Sequence, residues 1–160
     1  MQGRNQVRSH RPIDPLSGGT GEARANASAG VLAPVRVTFR AVVETVIPEA
    51  AALDEQGWRD VEAIVEASLQ TRPARLRRQL GLLLRLIAIV PVARYGRPFA
   101  RLDAGRRSRV LGRLQDSPVF LLRRGFWGLR TLALMGYYAR PSAAREIGYR
   151  AVPAGWEARR

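Results

Sequence analysis

Pro48, Pro73, Pro118 and Pro141 stand at the joints between runs in which apolar residues recur every three or four positions. Proline has no amide hydrogen and its ring collides with the preceding turn, so it begins a helix far more readily than it continues one. A chain punctuated in this way is led toward a set of helices of limited length. The 46% hydrophobic content excludes wholesale disorder, and the 7% aromatic content with few Thr, Val or Ile runs argues against a β-sandwich.

The spacing predicts five or six helices. In TFRAVVETVIPEA, Phe39, Val42, Val43, Val46 and Ile47 share one side, with Thr38 as the expected N-cap and Pro48 as the stop. In EQGWRDVEAIVEASLQ, Trp58, Val61, Val65 and Leu69 form an apolar stripe with Ile64 beside it, leaving Asp60, Glu62 and Glu66 for an exposed face. The next run is the most apolar of the chain, with Leu76, Leu80, Leu83, Leu84, Ile87 and Val90 directed inward, and it is expected to be the buried central helix. Its stretch GLLLRLIAIVPVA is interrupted by Arg85 and Pro91 and falls short of the roughly 20 residues that cross a bilayer. A Gly/Pro turn then leads to Asp103, an N-cap for a helix that turns Val110, Leu111 and Leu114 inward and leaves Arg106, Arg107, Arg109 and Arg113 for solvent or a partner. From about Pro118 to Tyr138, Leu121, Gly125, Gly128, Leu132 and Gly136 share a face on which another backbone should approach closely, while Trp127 lies opposite between Arg123 and Arg130. A short helix from Pro141 to about Ile147 precedes an aromatic C-terminal stretch. The expected class is therefore an all-α bundle of five to six helices, residues 34–160, behind a flexible basic tail, residues 1–33, whose composition cannot bury enough surface to order itself. The tail has no secretory hydrophobic stretch and no adjacent Arg pair preceding one, so the expected location is cytoplasmic.

All 27 basic residues are Arg, against 13 acidic residues. Their distribution is uneven: residues 41–70 hold one Arg and seven acids, and residues 71–160 hold twenty Arg and four acids. An acidic pair of helices thus precedes a strongly basic set. The inventory for catalysis is thin, because His10 is the only histidine and lies in the tail, and there is no cysteine. The carboxylates of Asp60, Glu62 and Glu66 read as solvated, and SGGTGEAR lacks the spacing and lysine of a phosphate loop. No catalytic, cofactor-binding or metal-binding residue is therefore expected. The Arg clusters admit a basic helical binding protein for nucleic acid or another anionic partner, though no zinc spacing or convincing helix-turn-helix accompanies them. Peripheral membrane contact through the Arg-rich helix is a further option, although Val110, Leu111 and Leu114 serve more economically as core.

The segment FWGLRTLALMGYYARPSAAREIGYRAVPAGW, with its L-R-x-L-x-L-x-x-Y-Y helix, Pro-led turn and closing I-G-Y before a proline, resembles a known pattern. It is similar to the helical small subunit of flavin-dependent dehydrogenases of the gluconate 2-dehydrogenase type. It is also similar to the N-terminal helical region of long-chain alcohol oxidases of the glucose-methanol-choline family. TFRAVVETVIPEA and FARLDAGRRSRVLGRL resemble the opening and middle of those domains, so the likeness runs from about Val37 to Trp156. The resemblance implies a non-catalytic accessory subunit that holds no cofactor itself and stabilises a larger, FAD-bearing flavoprotein acting on alcohol groups. Tyr137, Tyr138, Tyr149 and Trp156, with Arg130 and Arg145 at the edge, are then the expected partner-binding residues, since aromatics and Arg are the side chains that interface cores favour.

Overall fold

The computed structural model describes residues 30–146. The described residues form six α-helices and three short 3₁₀ turns, with no strand among them. A 3₁₀ turn at Ala33–Val35, with Pro34 at its start, feeds α1, Arg36–Val46. After a second 3₁₀ turn at Pro48–Ala52 come α2, Glu55–Gln70, and α3, Ala74–Tyr95. A third 3₁₀ turn at Phe99–Arg101 precedes α4, Ala104–Gln115, α5, Phe120–Tyr138, and α6, Pro141–Glu146. The all-α class expected from the periodicity is the class observed.

The local signals acted unevenly. Asp54 caps α2 by accepting the Gly57 amide at 2.7 Å, and Asp103 caps α4 by accepting the Arg106 amide at 2.8 Å, each satisfying a donor that the first turn leaves open. Thr38 does not cap α1. The helix already begins at Arg36, placing Thr38 inside it and burying its side chain. Pro91 does not end α3. It sits buried in the last turns of the helix, which closes at Gly96, whose φ of 64° is the left-handed conformation that glycine adopts without a Cβ penalty. The fold also begins before residue 34, since Leu32 is buried and its amide donates to Glu66 Oε1 at 2.6 Å.

The centre of the bundle is α5. It packs against α1, α2, α3 and α4, presenting Phe126, Leu129, Ala133, Gly136 and Tyr137 to a core that includes Phe39, Val42, Val61, Val65, Leu84 and Ile87. The expectation that α3 is the buried central helix is therefore corrected. Leu80, Leu83, Leu84, Ile87 and Pro91 face inward, whereas Leu76 and Val90 lie exposed. The reason is visible in composition: α3 is apolar on more than one side, and the bundle has room for only one of those sides.

Glycine lets α5 occupy the centre. A Cβ at Gly136 would lie 2.7 Å from Val65 Cγ2 and 3.2 Å from the Val61 carbonyl oxygen, so only a bare backbone brings α5 this close to α2. Gly125 would meet Leu83 Cδ2 at 3.0 Å, the movable end of a side chain, and Gly128 would meet nothing within 4 Å. The close approach expected along the glycine face is thus real at Gly136, mild at Gly125 and absent at Gly128.

Candidate partner-binding surface

The acids that looked solvated in the sequence are largely committed within the fold. Glu62 is only 7% exposed, and its carboxylate accepts from Arg40 Nε at 2.7 Å and pairs with Arg36 Nε at 3.1 Å. Arg40 then turns its two terminal nitrogens to Glu55, each at 2.9 Å, and its guanidinium stacks over Trp58, 5.2 Å from the ring centre. This places Arg40 at the seam of α1 and α2, with every nitrogen bonded to a carboxylate. The hydrogen bonds from Arg40 hold the Glu55 carboxyl below its ordinary value, and the same bonds to Glu55, with those to Glu62, hold Arg40 above its own. Arg107, expected at the surface of α4, instead pairs with Glu44 of α1 at 2.8 Å and donates to the Ala100 carbonyl. The reading of Glu62 and Glu66 as an exposed acidic face is therefore replaced by one in which they fasten α1 and the chain entering it to α2.

The expected partner-binding residues divide by position. Tyr137 is 7% exposed and belongs to the core, with the buried Arg140 guanidinium stacked on its ring at 4.3 Å and donating through Nε to the Tyr137 carbonyl at 2.9 Å. Tyr138 is 50% exposed and meets Tyr137 edge-on, with ring centres 5.1 Å apart. Arg130 is half-buried and lies over the Trp127 indole at 5.2 Å, while Arg123 bonds to the Ser117 carbonyl rather than completing a stack on the other side. Arg145 lies in α6. Tyr149 and Trp156 lie outside the described residues.

Tyr138 ends a longer feature. Phe120, Arg124, Trp127, Thr131 and Tyr138 are all exposed and follow one another at intervals of four, three, four and seven, which places them along the outer side of α5. The central helix therefore carries an aromatic stripe about 27 Å long at 1.5 Å per residue. Arg124 lies within it and Arg130 bears on its Trp. Phe120 is not among the partner-binding residues expected from the sequence, although the interval pattern that marks the stripe is present there.

Besides the stripe, α3 presents Leu82, Leu86, Ile89, Val90 and Val92 outward, with Leu82 62% and Ile89 66% exposed. A shallow groove of about 210 Å³ runs between this face and α4 and α5, lined by Leu86, Val90, Val110, Leu114 and Leu122 with Arg94 and Arg113 among them. The ion pairs among the described residues are Arg36–Glu62, Arg40–Glu55, Arg40–Glu62, Arg106–Asp103 and Arg107–Glu44, and no arginine of α3 takes part in them. Among the described residues no three His, Cys, Asp or Glu side chains gather where they could hold a metal ion. No described helix is long and apolar enough to cross a membrane. Comparison with family models, with curated protein sequences and with solved structures gave no match.

Proposed function

We propose that the chain is a non-catalytic accessory subunit that binds and stabilises a larger flavin-dependent oxidoreductase of the glucose-methanol-choline type, acting on alcohol groups with FAD held in that partner. The observation that carries this reading is the exposed stripe of Phe120, Trp127 and Tyr138 with Arg124 and Arg130, because large aromatics and Arg are the residues whose burial dominates protein interfaces. Trp127, Arg130 and Tyr138 of this stripe fall within FWGLRTLALMGYY, part of the stretch on which the resemblance to the small-subunit family rests. Co-expression with the flavoprotein of this type from the same genome tests the reading. A complex that elutes with flavin absorbance and oxidises an alcohol, while the chain alone does neither, is the expected result. Elution of the chain free of the flavoprotein overturns it.

A second reading, a basic helical binding protein for nucleic acid or another anionic partner, draws on the arginines of α3 and α4 other than Arg106 and Arg107, none of which forms an ion pair among the described residues. Salt separates the two: phosphate binding weakens steeply as salt rises, and a complex built on aromatic burial holds.

A further inference from the structure

We infer that the outer face of α3 is a docking surface for an anionic phospholipid membrane, on which this helix lies without inserting across it. Leu82, Leu86, Ile89 and Ala93 follow at intervals of four, three and four and are all exposed, forming one continuous aliphatic ridge with Val90 at its side. Such a ridge on a globular protein is costly to leave in water, and single exposed leucines do not account for it.

Charge selects the occupant. α3 contains five Arg and no acid, and residues 72–115 contain twelve Arg and one acid, Asp103. Arg78 and Arg85, both exposed, come one turn before Leu82 and Ile89 respectively, where long stems can lie along the apolar surface and raise the guanidiniums to a headgroup layer. A second copy of the chain would set these arginines against one another without an acid to separate them. A protein partner is served by the aromatic stripe of α5, whereas the α3 ridge is aliphatic, made of the Leu and Val that interface hot spots under-use. The adjoining groove repeats the same chemistry: aliphatic walls from Leu86, Val90, Val110, Leu114 and Leu122, with the cations Arg94 and Arg113, suit an acyl chain under an anionic headgroup. The arginines also set the mode of contact, because a helix this charged cannot enter the bilayer core.

The test is flotation of the full chain with vesicles of phosphatidylcholine alone or mixed with phosphatidylglycerol. Binding to the mixed vesicles, and much weaker binding to phosphatidylcholine, is expected. Leu82→Glu with Ile89→Glu should lower partitioning about tenfold or more, and Arg78→Gln and Arg85→Gln about fivefold each. Since the replaced side chains are exposed, the melting temperature should stay unchanged; if the Glu pair perturbs the fold, Leu82→Ala with Ile89→Ala provides the same comparison at smaller effect. Equal binding to both vesicle types overturns the inference, as does vesicle binding that the α3 variants leave intact. Failure of the α3 variants to bind the flavoprotein, with no vesicle binding by the unmodified chain, would assign the ridge to a protein partner and also overturn it. Loss of the flavoprotein complex through Trp127→Ala with vesicle binding retained keeps the two surfaces distinct and supports the inference.

Discussion

The two halves of the bundle use charge in opposite ways. The carboxylates of α1 and α2 are taken up within the fold: Glu62 and Glu55 by Arg36 and Arg40 of α1, Glu44 by Arg107 reaching across from α4, and Glu66 by the Leu32 amide. In α3 to α5 the arginines outnumber acids heavily and stand beside exposed apolar side chains, Leu82 and Ile89 on one helix and Phe120 and Trp127 on another. The first half spends its polar groups on holding the fold together, while in the second only Arg106 and Arg107 form ion pairs among the described residues. A formal net charge of +14 therefore says little about the molecule until the paired and unpaired arginines are separated.

The comparison breaks first at Glu62. Replacing it by Ala leaves Arg40 and Arg36 without their shared carboxylate at a nearly buried seam, and should cost about 3 kcal/mol of stability in urea unfolding. An equal charge removal on α3, Arg85→Ala, should cost less than about 0.5 kcal/mol. Comparable losses at the two sites would erase the distinction between the halves.

The glycines of α5 give the next largest effect. Gly136→Ala drives a methyl into Val65 and the Val61 carbonyl, where a β-branched side chain and a backbone have little freedom, and should destabilise by about 2 kcal/mol. Gly128→Ala meets open space and should stabilise by about 0.5–1 kcal/mol through helix propensity alone. Thermal unfolding of the two variants checks the opposite signs.

Acid gives the smallest and most local contrast. The Arg40 hydrogen bonds lower the Glu55 carboxyl, and the Arg106 backbone amide lowers that of Asp103. A folded value below the unfolded one means that stability is fully present above the ordinary carboxylate range, near about pH 4, and is lost as pH falls through the lowered values. The stability difference between the unmodified chain and Glu55→Gln should be constant near neutrality and close in acid. A difference that persists unchanged at the acid end contradicts the assigned role of Arg40.

The helices were legible because their causes are local. Asp103 and the apolar intervals of α1, α2 and α4 act within a turn or two, and a single sequence displays them. Which helix sits at the centre was not, because the aliphatic run of α3 covers more than one side of that helix, and only the packed fold singles out Gly136 among the three glycines as the one that admits α5 against α2. The burial of Glu62 is not legible for the same reason: a carboxylate off the apolar stripe reads as solvated, and its partners Arg36 and Arg40 lie on the neighbouring helix. Tyr137 and Tyr138 stand side by side in the sequence, but adjacent residues on a helix point about 100° apart, so one enters the core and the other the surface.

The affinity of the flavoprotein for this chain and for its Trp127→Ala and Tyr138→Ala variants, measured by titration calorimetry, tests the accessory-subunit reading most directly. Each substitution should weaken binding by about 1–3 kcal/mol, tenfold or more, while the melting temperature of the chain alone hardly changes. Unaltered affinity in both variants, or no binding by the unmodified chain, would contradict it.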